Sequence, residues 1–148
     1  QDDDWIWGGK LADIYQTLQF GIRSGHAKAR DSQMPNFGKD GVLKKEEVAA
    51  VSDYVVSLSD SSVKGTDAGK KLFADNCAAC HGEDAKGNLE LGAPNLADKI
   101  WLYGGGSAKV AAQVNEAKHG VMPAWEGRLD PITVKSLAVY VHSLGGGK

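Results

Sequence analysis

Cys77 and Cys80 are the only cysteines of the chain, and they fall with His81 in the run Cys77-Ala78-Ala79-Cys80-His81-Gly82. On a helix, residues i, i+3 and i+4 share one face, so two thiols and an imidazole can meet a single flat ligand. C-x-x-C-H is the attachment signature of c-type haem. In that chemistry each thiol adds across a vinyl group to give a thioether, and the histidine reaches the iron from one side. The iron then needs a sixth ligand. Met122, in Val121-Met122-Pro123-Ala124-Trp125, lies far enough downstream to close over the other face.

Two other chemistries compete for the same residues. A thioredoxin-like dithiol requires a strand before the motif and a βαβ context, and no strand-type alternation precedes Cys77. A structural zinc site requires further ligands at finger spacing. No second C-x-x-C and no H-x₃₋₅-H is present. Haem is the reading the spacing favours.

Composition narrows the class. With 17 basic and 19 acidic residues the charge is nearly balanced, which disfavours nucleic acid as a partner. No apolar run approaches the roughly 18 residues of a membrane span. The first residues, Gln1-Asp2-Asp3-Asp4, do not resemble a secretion signal. Covalent haem attachment implies assembly outside the bacterial cytoplasm, so an export signal or anchor is expected upstream of this sequence.

The elements that must position these groups come as an internal repeat. Trp5-Ile6-Trp7-Gly8-Gly9 is echoed by Trp101-Leu102-Tyr103-Gly104-Gly105. A helical pattern follows each, with Ile14, Leu18 and Gly21 answering Val110, Val114 and Ala117. Each half then reaches a Met-Pro pair and an aromatic, Met34-Pro35-Asn36-Phe37 and Met122-Pro123-Ala124-Trp125. Each closes on a helix, with Leu43, Val48, Val51, Tyr54, Val55 and Leu58 matched by Leu129, Val134, Leu137, Tyr140, Val141 and Leu144. The first half has no C-x-x-C-H. Trp101 follows His81 by twenty residues, and the same offset counted back from Trp5 falls before Gln1.

The expected organisation is therefore all-α, in two tandem domains. Residues 1–58 form the C-terminal part of a first haem domain that lacks its attachment helix, 59–66 a polar linker, and 67–148 a complete domain. Asp67 is expected to cap the helix leading to the haem motif. A middle helix is expected from Lys109. A last helix starts after Asp130, with Pro131 in its first turn, and ends at Gly145-Gly146-Gly147.

With the motif, the Met-Pro boxes and the repeat in view, the chain resembles the periplasmic part of subunit III of cbb3-type cytochrome c oxidases. Further stretches carrying the likeness are Gly21-Ile22-Arg23-Ser24-Gly25-His26, Gly92-Ala93-Pro94-Asn95-Leu96 and Leu137-Ala138-Val139-Tyr140-Val141-His142-Ser143-Leu144. The resemblance implies class I cytochrome c domains and one haem c in this chain on Cys77 and Cys80. His81 is then the proximal ligand and Met122 the distal one. Met34 would serve a second haem attached upstream. The Pro94 carbonyl would accept the Nδ1 proton of His81, fixing the ring, while Tyr103 and Trp125 would line the pocket. It implies an electron-transfer subunit that is not itself the oxygen-reducing site. Electrons would come from a soluble cytochrome and leave to other oxidase subunits, on the periplasmic side of the inner membrane, with the membrane reached only through an upstream anchor.

A saturated His/Met iron relays electrons without transforming a substrate. Other classes of protein could carry the same motifs: a soluble dihaem carrier, the cytochrome subunit of a periplasmic dehydrogenase, or a dihaem peroxidase with a displaceable ligand. His119 is an alternative distal ligand. Arg23 and Arg128 are candidate partners for haem propionates.

Overall fold

A computed structural model describes residues 4–145. It contains six helices: α1 (Leu11–Phe20), α2 (Lys45–Ser57), α3 (Asp67–Asn76), α4 (Ala78–His81), α5 (Ser107–Asn115) and α6 (Pro131–Gly145). Among the described residues, extended pairing is limited to isolated bridges such as Ile22 with Arg30 and Asn88 with Ala93. The all-α expectation holds.

The chain forms two compact units, and they do not follow its order. One comprises residues 1–33, 89–92 and 119–148, the other 34–88 and 93–118. The expected division at 59–66 differs from this, because that stretch joins α2 to α3 inside one unit.

The unit containing the cysteines is built on α2. Its Val48, Val51, Val55 and Val56 are buried, recurring at helical spacing to form one apolar stripe. α2 packs on both α3 and α5. Phe37, Leu43, Phe73, Cys77, Ala85, Val110 and Val114 complete the core. Full burial of each large apolar side chain contributes about 1.5–3 kcal/mol. Gly69 sits where α3 crosses α2. A Cβ there would lie 2.9 Å from Tyr54 Cβ and still closer to the Ala50 carbonyl oxygen. α3 begins at Thr66, whose hydroxyl accepts the Gly69 N–H at 3.0 Å. The cap is thus Thr66 rather than Asp67. Asp67 occupies the first turn, where a carboxylate suits the helix dipole.

In the other unit α1 packs on α6, burying Ile14, Val134 and Ala138. The Met122 segment bridges to Ile22 through paired N–H···O contacts of 2.9 Å. α6 is capped as the sequence suggests. Asp130 Oδ1 accepts the N–H groups of Ile132 and Thr133, each at 3.0 Å.

Candidate haem attachment site

Cys77 ends α3 and opens α4. Its N–H donates to the Phe73 carbonyl at 2.8 Å, while its own carbonyl accepts the His81 N–H at 2.9 Å. One helical turn thus carries Cys77 to His81 on one face. The turn stops at Gly82, whose φ of +80° favours glycine. Cys77 is buried and Cys80 exposed, and neither is in a disulfide.

The loop after α4 folds back to orient the imidazole. The Gly87 N–H donates to the His81 carbonyl at 2.8 Å, Asn88 and Ala93 exchange N–H···O bonds of 2.9 and 3.0 Å, and the Leu96 N–H donates to Ala85 at 2.8 Å. These bonds set the Pro94 carbonyl 3.0 Å from His81 Nδ1. A carbonyl can only accept, so Nδ1 carries the proton and Nε2 keeps its lone pair. His81 is 8 % exposed. Burial holds its pKa below the usual 6.5, against a smaller upward pull from the Pro94 bond. The neutral ring that a metal requires is the form this site favours.

The thiols test the competing chemistries. Burial, with a further contribution from neighbouring Cys80, pushes the Cys77 pKa up to about 11. A redox dithiol needs the opposite, a depressed pKa giving an accessible thiolate. Among the described residues no group of three or more His, Cys, Asp and Glu side chains converges to hold a metal ion, so the ligand set of a structural zinc is missing there. Two thiols and an oriented, neutral imidazole on one turn fit a covalently bound haem c.

Pro94 and Tyr103 lie in the unit of Cys77, Cys80 and His81, and so does Met34. Met122 and Trp125 belong to the other unit. Met34 packs on the buried core cluster of its unit, as do Leu72, Leu96 and Trp101. Tyr103, 40 % exposed, lies on the surface. The Trp125 N–H is shared between the Leu18 and Gln19 carbonyls at 3.2 and 3.1 Å. Arg23 donates to the carbonyls of Gly120 (2.7 Å) and Ser32 (2.8 Å), and Arg128 lies over the Trp125 ring. Both arginines thus have protein partners. The grouping of Met34 with the cysteines is what sequence reasoning missed, although the repeat that permits it was visible. Among the described residues, the buried donor Trp5 Nε1 has no hydrogen-bond acceptor.

Comparison with known proteins gives a consistent answer. The family described as cytochrome c oxidase, cbb3-type, subunit III matches residues 64–141. The cbb3-type cytochrome c oxidase subunit FixP of Bradyrhizobium diazoefficiens is 61 % identical over 150 aligned positions, covering 99 % of this chain and 52 % of the relative. FixP of Sinorhizobium medicae is 54 % identical, with 99 % and 51 % covered. Subunit CcoP of Cereibacter sphaeroides is 49 % identical, with 99 % and 52 % covered. The chain spans about half the length of these curated relatives.

Proposed function

The chain belongs to the family of subunit III of cbb3-type cytochrome c oxidases, and from that premise we propose that it relays single electrons through one haem c attached at Cys77 and Cys80. The observation that carries the proposal is the α4 turn, with both thiols and a His81 ring oriented by Pro94 at 3.0 Å. The group supplies one-electron exchange between ferric and ferrous iron.

The chain's own residues do the rest. Cys77 and Cys80 would hold the group, each through a thioether formed by addition of its S–H across a vinyl group. His81 offers Nε2, and the Nδ1–H···O=C bond to Pro94 fixes the ring plane and raises its basicity. Phe73 lies with Cys77 in one buried apolar cluster, against which Leu72, Leu96 and Trp101 pack, and this shell would keep water from a haem held there. A methionine thioether completes the ligation, for which the sequence offers Met122 and Met34. Histidine with methionine gives a higher potential than two imidazoles and no vacant position for a substrate.

In this reading electrons arrive from a soluble cytochrome and leave to other oxidase subunits, on the periplasmic face of the inner membrane. No helix among the described residues is long and apolar enough to cross a membrane. A second haem, attached upstream, belongs to the same proposal. The buried Trp5 Nε1–H, which has no acceptor among the described residues, supports it, as a donor that a haem carboxylate would satisfy. The test is a haem count by pyridine haemochrome with redox titration. One haem per chain, titrating as a single one-electron couple, is expected. A matured chain without covalent haem would refute the proposal.

A further inference from the structure

We propose that the exposed side chains of Leu102 and Tyr103 form a docking surface, and that its occupant is the tip of the loop following the upstream attachment motif of the same polypeptide. The proposal rests on the reading of an upstream haem above and adds the place where a loop of that upstream domain seats.

The first half of the repeat displays such a seat filled. After the attachment turn, Asn88 and Ala93 exchange N–H···O bonds of 2.9 and 3.0 Å and close a short tip, residues 89–92. The tip belongs to the compact unit of Trp7, whereas Asn88 and Ala93 belong to that of the cysteines. The backbone of Gly92 lies against the Trp7 indole. A Cβ on Gly92 would fall on the ring carbons Cε2 and Cζ2 and 2.7 Å from Cδ2, so the approach requires glycine. The Arg30 guanidinium stands 5.3 Å from the centre of a Trp7 ring, held by the Thr17 hydroxyl at 3.0 Å. In this setting Ile6 and Trp7 are half-buried, and Gly8 and Gly9 are buried.

The second half carries the same element on the surface. Trp101 follows Trp5 by 96 residues, and the offset holds from Gly8 with Gly104 to Leu18 with Val114. It sets Leu102 against Ile6 and Tyr103 against Trp7. Leu102 is 71 % exposed and Tyr103 40 %, and Gly104 and Gly105 are exposed with them. An aromatic ring at Tyr103 offers a glycine backbone the same flat apolar face that Trp7 offers Gly92. The offset counted back from residues 89–92 falls ahead of Gln1. The chain covers 52 % of the Bradyrhizobium diazoefficiens FixP, so that relative holds about as much sequence again outside the matched part.

The size of the patch favours a tethered occupant. A stable interface between separate proteins buries about 1,200–2,000 Å², far more than two apolar side chains and two glycines supply. A loop of the same polypeptide docks at the high effective concentration that its tether sets, and needs a seat only as large as its tip.

The test compares the 148-residue chain with the polypeptide extended upstream through its first attachment motif, both matured with haem. Hydroxyl-radical labelling read by peptide mass spectrometry reports the exposure of each side chain. Leu102 and Tyr103 should be labelled several-fold more slowly in the longer chain than in the shorter, with Val42, 57 % exposed, as the reference within each. In the longer chain Leu102→Asp should restore labelling of Tyr103 and expose the upstream tip. Should that variant fail to mature, Leu102→Gln takes its place. Equal labelling of Leu102 and Tyr103 in the two chains overturns the proposal. So does protection that leaves the upstream tip unchanged by the substitution, since another segment is then the cover. A pyridine haemochrome count separates the two readings. One haem in the longer chain overturns the upstream haem, while two haems with Tyr103 unprotected overturn the docking surface alone.

Discussion

Substituting Gly69 by alanine sets two effects of opposite sign against each other in the helix that leads to the attachment turn. Gly69 lies inside α3, where alanine gains about 1 kcal/mol of helix propensity. The new Cβ would stand 3.0 Å from the Ala50 carbonyl carbon, 2.9 Å from Tyr54 Cβ, and closer still to the Ala50 carbonyl oxygen. Two of those three atoms are backbone, so no rotamer change relieves the contact and α2 must shift. Overpacking of this kind costs about 1–3 kcal/mol, and a contact with rigid backbone belongs at the upper end. The net expectation is destabilisation by about 2 kcal/mol, a fall in Tm of about 4–8 °C for a chain of this size. Thermal unfolding of the haem-loaded protein followed by circular dichroism measures it. A variant as stable as the parent, or more so, would show that α3 is not pressed against α2 at this point, and the derivation of the core would fail with it.

Three further outcomes follow from the same geometry. Trp5→Phe removes a buried indole N–H that has no acceptor among the described residues; since an unsatisfied donor costs about 1–3 kcal/mol, this chain should keep or gain stability in urea, and a loss above about 1 kcal/mol would reveal a hydrogen bond. Asp130→Ala removes the cap of α6, whose carboxyl is held below its usual 3.8 by bonds from the Thr133 hydroxyl and N–H. The stabilisation belongs to the ionised form, so Tm should fall in the variant at pH 7 and the difference should vanish as the pH drops well below 3.8; a difference independent of pH would remove the charged cap. In the chain prepared without haem, iodoacetamide at pH 8 should label exposed Cys80 well before Cys77, which is buried and has its pKa pushed to about 11; equal rates by peptide mapping would show that Cys77 is not shielded.

The attachment turn was legible because its chemistry is local. C-x-x-C-H fixes which atoms share a helical face, whereas the Pro94 contact with His81, present at 3.0 Å, was expected from the family resemblance and not from local spacing. The start of α6 was legible for the same reason, since Asp130 and Pro131 act on adjacent peptide groups. The start of α3 was off by one residue: Thr66 and Asp67 can both cap, and only the hydroxyl of Thr66 meets the Gly69 N–H.

What the sequence left open was pairing at a distance. A repeat specifies which faces are apolar and says nothing about which copy answers which. Val48, Val51 and Val55 present the same template as Val134, Leu137 and Val141, so the hydrophobic pattern is satisfied by either closing helix. The choice falls to the positions where the copies differ; at the 86-residue offset that separates Leu43 from Leu129 these include Val51 against Leu137 and Val56 against His142, and of the two only the second sets an apolar side chain of the core around Cys77 against a polar one. Exchanging these two residues, as Val56→His with His142→Val, would turn that preference around. With the apolar side chain on α6 and the imidazole on α2, the Tyr140 ring should approach Phe73 and the Tyr54 ring should leave it, and retention of the Tyr54–Phe73 NOE would assign the pairing to the short 58–66 connection instead.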